Sequence, residues 1–406
     1  MTFACRSCSG TRFHPVIDLG MTPLANALCD PASPDKPEPR YPLRVVFCED
    51  CSLVQITETV PPEALFSDYV YFSSVSDAAV ASAKVIAERL TQTRGLGPAS
   101  LVMEAASNDG YLLQHYRNAG ISVLGIEPAA NIARVAEQNG IPTCCAFFGR
   151  DEAVRLAAEG FKCDVFHANN VLAHVADLNG FVAGIQTVLA PSGVAVIEVP
   201  YLRDLIEHIE FDTIYHEHLC YFSATSLDAL FTRHRLALVD VERISIHGGS
   251  LRLLVAHAGA PRSAAVTDML AAEQQTGMTR AAYYADFASR VDRLRGELLA
   301  LLARLKSERR SIAAYGASAK GATLLNFFGI GGDVIDFVVD RSKIKQGKLT
   351  PGTRLPIRAP ETLVQSRPDY CLLLTWNFAD EILQQQADYR ALGGKFIVPV
   401  PEVRIV

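Results

Sequence analysis

The sequence predicts an α/β protein in which a small cysteine-stapled module precedes two Rossmann-like halves. Three observations predict it. Two Cys-x-x-Cys knuckles, Cys5/Cys8 and Cys48/Cys51, lie near the start of the chain. A strand, a turn of small residues, a helix and a second strand ending in an acid follow one another between Leu101 and Glu127. The same order recurs between Ser311 and Asp340.

The 406 residues leave room for two or three domains, and 49% hydrophobic with 20% charged content is ordinary for a soluble globular chain. A net charge of −6 argues against nucleic acid or an anionic membrane as the main partner. No apolar run approaches the length of a membrane span, and the first residues lack a basic-then-apolar signal pattern, so the expected home is the cytoplasm.

Residues 1–65 read as the stapled module. The two knuckles offer four thiolates to a structural zinc ion, Zn2+, remote from any chemistry. The proline-rich segment 31–39 suits neither helix nor central strand, so the module is expected to have little core of its own and to draw its stability from the metal. The other six cysteines show no ligand spacing. A joint rich in hydroxyls and rings follows, where Tyr69 and Tyr71 are candidates to reach a substrate.

A helix over 78–90 leads into the first half, 66–260. Leu101-Val102-Met103-Glu104 is a strand, residues 105–110 a turn, 111–119 a helix, and Ser122-Val123-Leu124-Gly125-Ile126 a strand ending on Glu127. Residues 164–168 and 194–199 supply later strands. A helical connector spans 263–310, within the last part of the chain, 261–406. There, strands at 311–315 and 334–340 flank the turn Gly316-Ala317-Ser318-Ala319-Lys320-Gly321 and a helix over 322–328. Strands at 371–375 and 395–399 complete the sheet.

The two turns differ in chemistry. In the first half, Glu104 is followed by Ala106, Ser107, Asn108, Asp109 and Gly110. Small residues there allow close approach of a ligand, and Glu127 can take ribose hydroxyls. Carboxylates in this turn would repel a pyrophosphate but suit a cationic tail, such as the amino-acid end of S-adenosylmethionine, with NAD the weaker reading. Phe147 could flank an adenine, and Asn169 and Asn170 follow a strand end. The second turn offers backbone N–H groups, Ser318 and Lys320, joined by Arg341 and Lys343 past the next strand. That set suits the diphosphate of a nucleotide.

Between the halves lies Tyr215-His216-Glu217-His218-Leu219-Cys220-Tyr221. Tyr215, His216, Glu217 and His218 put four proton-handling groups in consecutive positions, with Tyr221 three residues on, in a loop leaving a strand end. His174, just past another strand end, could join them.

These residues together resemble the sugar C-methyltransferases of deoxysugar pathways. The likeness rests on both knuckles, on residues 104–111, on Tyr215-His216-Glu217-His218, on His247-Gly248-Gly249-Ser250-Leu251-Arg252, and on Tyr315 through Gly321. One departure is Ala105-Ala106, where a glycine-containing turn is expected. The resemblance implies a zinc module, a central class I methyltransferase domain binding S-adenosylmethionine (or S-adenosylhomocysteine), and a C-terminal Rossmann-like domain that helps hold a dTDP-sugar. It implies methylation at C-3 of a 4-keto nucleotide sugar. His218 would be the base, Glu217 an orienting or charge-holding group, and Tyr215 or His174 the donor to the ketone oxygen, with His216 as the alternative base. Tyr221 would line the substrate. The expected assembly is a monomer or small homo-oligomer.

Other readings are an oxygen- or nitrogen-directed methyltransferase, an RNA methyltransferase reading nucleic acid through its zinc module, and a non-catalytic nucleotide-sugar-binding regulator. The first would leave the dense run unused, and the acidic balance opposes the second.

Overall fold

The computed structural model describes residues 3–33, 36–61, 65, 72–244 and 249–406. Tyr69, Tyr71 and the His247-Gly248 pair lie outside the described residues. Three sheets organise the chain, in the expected α/β arrangement.

The first is a four-stranded antiparallel sheet in the order β1-β2-β3-β9, from β1 (Phe13–Pro23), β2 (Arg40–Cys48), β3 (Val54–Ile56) and β9 (Cys220–Tyr221). It corrects the expectation of a module with little core. Alternate residues Leu43, Val45 and Phe47 of β2 are buried, and so are Val16, Ile17 and Leu19 of β1. Phe47 packs against Tyr284 of the connector with ring centroids 4.8 Å apart. The fourth strand comes from the run itself, since Val54 and Gln55 pair with Tyr221 and Cys220.

The central sheet has seven strands in the order β10-β11-β8-β7-β4-β5-β6. Here β4 is Leu101–Ala105, β5 Ser122–Ile126, β6 Thr143–Cys144, β7 Cys163–Asn169 and β8 Leu189–Pro200, all parallel. The last two, β10 (Leu236–Ile244) and β11 (Ser250–His257), form an antiparallel pair laid on β8. Strand order reverses between β4 and β7, the place where open α/β sheets bind ligands. The helix Asp77–Arg94 runs past its expected end. Ser76 caps its start by accepting from Ala79 N–H, and Gly95 ends it with a φ of 62°.

The connector is two helices, Ala264–Thr276 and Phe287–Ser307. Gly277 breaks it, and the second helix buries Val291, Leu294, Leu298, Leu302 and Leu305 along one face. The third sheet runs β14-β13-β12-β15-β16-β17, from β12 (Ile312–Tyr315), β13 (Val338–Val339), β14 (Ile357–Arg358), β15 (Tyr370–Leu373), β16 (Lys395–Val398) and β17 (Arg404–Ile405). All but β17 are parallel, and order reverses between β12 and β15. The expected strand over 334–340 shrinks to β13. Val334 and Ile335 are tied back to Gly331 O in a turn, so their apolar character serves burial rather than pairing.

Candidate active site between the two nucleotide-type halves

A cavity of about 710 Å³ lies where the carboxyl ends of β4, β5, β7 and β8 face the helix Ala319–Phe328 of the C-terminal half. The two reversal points of the sheets thus open into one space.

On the donor side, Ala106, Asn108, Glu127, Phe147, Asn169 and Asn170 line it. Ala106, Asn108 and Gly110 take φ values of 51°, 49° and 82°, which bends the turn tightly over the strand end. Glu127 accepts the N–H groups of Asn108 at 3.0 Å and Ala129 at 2.9 Å, so its carboxylate is fixed toward the cavity. Burial raises its pKa against those two bonds. Phe147 stands on the lip, 46% exposed, whereas Phe148 packs on Phe166 and Phe181.

Four expected contacts lie beneath the wall instead. Ser107 backs Gly125, and Gly110 sits against Ile141. Asp109 accepts from Ser74 N–H. Glu104 is 1% exposed, and burial beside Glu127, Glu198 and Asp109 holds its carboxyl well above the ordinary range. Glu104 does not line the cavity, contrary to its expected role, whereas Glu127 does. The residues nonetheless fit S-adenosylmethionine. The site has a fixed acid placed for a ribose, a buried Asn169 Oδ1 with no hydrogen-bond partner among the described residues, and an exposed ring at the lip.

On the side of the C-terminal half, Ser318 and Lys320 line the cavity. Ser318 Oγ caps its helix by accepting from Gly321 N–H at 3.1 Å. Lys320 Nζ is buried without a hydrogen-bond partner among the described residues and sits 4.7 Å from the centroid of Trp376. Trp376 Nε1 donates to Asp212 Oδ2 at 2.7 Å, tying this half to the stretch just before the His-Glu-His run. Arg341 and Lys343 do not converge here. Both are exposed, and Arg341 pairs with Glu381 at 3.3 Å, because the chain turns outward after β13. Asp340 and Lys345 occupy the Gly-rich turn in their place, binding Ala317 N and Ala317 O at 2.8 Å each.

Between the sides stand Tyr215, Glu217, His218 and His174. His218 Nδ1 lies 2.8 Å from Thr213 O and so carries the proton, which leaves Nε2 as an acceptor, 2.9 Å from the Tyr215 hydroxyl. His174 Nδ1 lies 2.7 Å from Glu217 O, and burial pushes its pKa down to about 4. With Nδ1–H directed at Glu217 O, the neutral ring presents Nε2 as an acceptor; it lines the cavity 4.8 Å from the His218 ring. His216 turns away, with Nε2 3.2 Å from Pro42 O and its ring edge-on to Tyr41, so it does not face the cavity. Tyr221 is buried behind His218, its ring 6.5 Å away, and does not line the space.

Sequence reasoning missed two residues here. Asn26 from the N-terminal module donates to both Glu217 carboxylate oxygens, at 2.8 and 2.9 Å. Glu210 lines the cavity with a pKa raised to about 7 by burial, which Lys320 opposes. Neither carries a local signal, because each acquires its meaning from a distant partner.

The four module thiols converge as expected. Their sulfurs all lie within 4.8 Å of one another, and two pairs are 3.6 Å apart. A tetrahedral zinc with Zn–S near 2.3 Å sets sulfurs roughly 3.8 Å apart, so the set fits zinc. Metal analysis is expected to find about one zinc ion per chain; a value near zero in active, stable protein would remove the assignment.

Three stretches match known families: residues 5–66 the family described as "Putative zinc binding domain", 82–241 "Methyltransferase domain", and 245–401 "C-methyltransferase C-terminal domain". The C-methyltransferase NovU of Streptomyces niveus is 36% identical over 404 residues, covering 99% of this chain and 96% of that protein. Among solved structures, the magnesium protoporphyrin IX methyltransferase of Synechocystis PCC 6803 with bound SAM is 13% identical. It covers 48% of this chain and 89% of its own, with a TM-score of 0.35. The 1,6-didemethyltoxoflavin-N1-methyltransferase of Burkholderia thailandensis is 17% identical over 45% of this chain and 80% of its own, with a TM-score of 0.33. Likeness at those two levels carries no weight for function.

Proposed function

Since the chain belongs to the C-methyltransferases, we propose that it methylates C-3 of a 4-keto deoxysugar nucleotide, dTDP-linked by preference, with S-adenosylmethionine as donor. The observation that carries this is the single cavity in which a donor-type wall, a cation-bearing acceptor wall and the pair Tyr215–His218 meet. Oxygen or nitrogen acceptors, whose protons are more acidic or whose lone pairs are already free, need less help of this kind. In this reading residues 1–65 form the zinc module, 66–260 the donor domain and 261–406 the acceptor domain. The same reading assigns a cytoplasmic enzyme, in keeping with ten cysteines of which none is in a disulfide.

Bound S-adenosylmethionine would supply an electrophilic methyl group, with Glu127 and Asn169 among the residues that would hold it. A proton beside a ketone leaves only when a base takes it and the resulting charge is held. His218 is fitted to be that base, since Thr213 O fixes the tautomer with Nε2 open as acceptor. Tyr215 gives its hydroxyl hydrogen to Nε2 in the resting site. Turning that hydrogen toward the ketone oxygen frees Nε2 for the C-3 proton and holds the enolate. The C–H electron pair enters the enolate, its carbon takes the methyl group, and His218 later returns its proton to solvent.

Incubation with a panel of 4-keto nucleotide sugars, watching for S-adenosylhomocysteine and a C-3-methylated product, tests the reading. Product only with oxygen or nitrogen acceptors would overturn it. The two walls should also separate by calorimetry. Glu127→Ala is expected to weaken S-adenosylmethionine by ~2 kcal/mol, the worth of a charged hydrogen-bonding group, and Lys320→Ala to weaken the nucleotide sugar instead. The reverse pattern would exchange the two halves.

A further inference from the structure

Asn26 belongs to the zinc-bearing module, yet it lines the cavity beside Glu217, 191 positions away. We propose that Asn26 is a positioning residue for the reaction: it holds the Glu217 carboxylate against the cavity, so that the zinc-bearing module completes the catalytic pocket. This rests on the C-methyltransferase reading above.

The geometry is specific. The Asn26 amide nitrogen lies 2.8 Å from one Glu217 oxygen and 2.9 Å from the other, a bridge that only an N–H donor facing the carboxylate edge can make. The loop bearing Asn26 is clamped on both sides. Before it, β1 ends at Pro23 with Thr22 buried; after it, Cys29 and Leu349 exchange backbone hydrogen bonds of 2.9 Å with the C-terminal half. Asn26 thus sits where the module, the run and the acceptor half meet.

Glu217 is 5% exposed, and a carboxylate so placed loses its hydration on both forms of the site. Burial lifts its pKa to about 7, and the Asn26 bond is what opposes that rise. The titratable groups around it are Tyr215 and His218 of the same run and His174 from the turn after β7, with Glu210 and Lys320 elsewhere on the cavity wall. Asn26 is the side chain hydrogen-bonded to both carboxylate oxygens, and that bond favours the ionised form against burial. Glu217 and His218 line the same cavity, so an ionised Glu217 favours the imidazolium that forms when C-3 loses its proton.

The test uses the full-length zinc-loaded protein. Asn26→Ala is expected to lower kcat on the order of ten-fold, the effect of removing one hydrogen bond to a charged group. The acidic limb of the kcat profile should move to higher pH, with KM for the nucleotide sugar little changed. In a Glu217→Gln background the same change should add nothing, because Asn26 would have lost the charge it serves. Carbon NMR of labelled glutamate should show Glu217 titrating at higher pH in Asn26→Ala than in wild type. Wild-type kcat and profile in Asn26→Ala, or an additive loss in the double variant, would overturn the proposal, the latter by making Asn26 a substrate contact. A shifted Glu217 titration in a protein that methylates no 4-keto sugar would leave the positioning intact and remove the functional reading instead.

Discussion

His218→Ala is expected to lose methylation by 10²–10⁴-fold, roughly the range that a positioned base contributes. The decisive readout is proton exchange. If His218 forms the enolate before methyl transfer, the step needs no donor, and wild-type protein with a 4-keto nucleotide sugar and S-adenosylhomocysteine in heavy water should take deuterium into C-3. His218→Ala should lose this exchange while still binding both ligands, because the walls that hold them are made by other residues. Tyr215→Phe should keep binding and slow exchange and methylation together, on the order of 10²–10³-fold, since the enolate oxygen loses its donor. His216→Asn serves as the control. Its ring faces Pro42 O and Tyr41 rather than the cavity, so its exchange should stay near wild type. Exchange abolished in His216→Asn but kept in His218→Ala would transfer the role of base to His216. Normal turnover in both would remove the run from proton transfer altogether.

The central and C-terminal sheets were legible because parallel strands covered on both faces read as unbroken apolar runs, as in β4, β5, β8 and β15. The N-terminal sheet was not, for a local reason. Register shifts between Pro15 and Ile17 and between Asp18 and Met21 put Val16 and Ile17 side by side in the core, which breaks the period of two. Val334 to Asp340 erred the other way, since apolar residues can be buried in a turn as readily as in a strand.

In the site, the run was readable because its chemistry is dense in sequence. The cations were not: Lys320 sits at a helix start that faces the cavity, whereas Arg341 and Lys343 follow a strand end from which the chain turns outward. Periodicity says where a strand ends, not where the next side chains point. Asn26 and Glu217 are 191 positions apart, and Trp376 and Asp212 164. Such pairs exist only through the fold. They also alter what the N-terminal module means, since the sequence set it apart from the chemistry and the structure ties it to the run at β9 and at Glu217.

The second large effect is expected at the metal. Cys5, Cys48 and Cys51 are buried and Cys8 half-buried, with no disulfide among them. Four thiolates packed this closely repel one another unless a cation stands between them. Cys48→Ser should therefore drop zinc content from about one per chain toward zero, with a stability loss on the order of 4–5 kcal/mol or more. The module's own core softens that loss without removing it, because the two knuckles together close the end of the sheet where Cys48 of β2 pairs with Phe13 of β1. The damage should also reach the catalytic run. Gln55 Nε2 donates to Cys5 Sγ at 3.1 Å, Gln55 pairs with Cys220, and Ile56 N donates to Leu219 O at 3.0 Å, one residue from His218. Chelation of wild-type protein should thus lower both the melting temperature and the deuterium exchange at C-3, and added zinc should restore both. Cys48→Ser should not recover on adding zinc. A chelated protein that keeps full exchange at temperatures below its melting would show the metal to be a staple of the module alone, with no hold on His218.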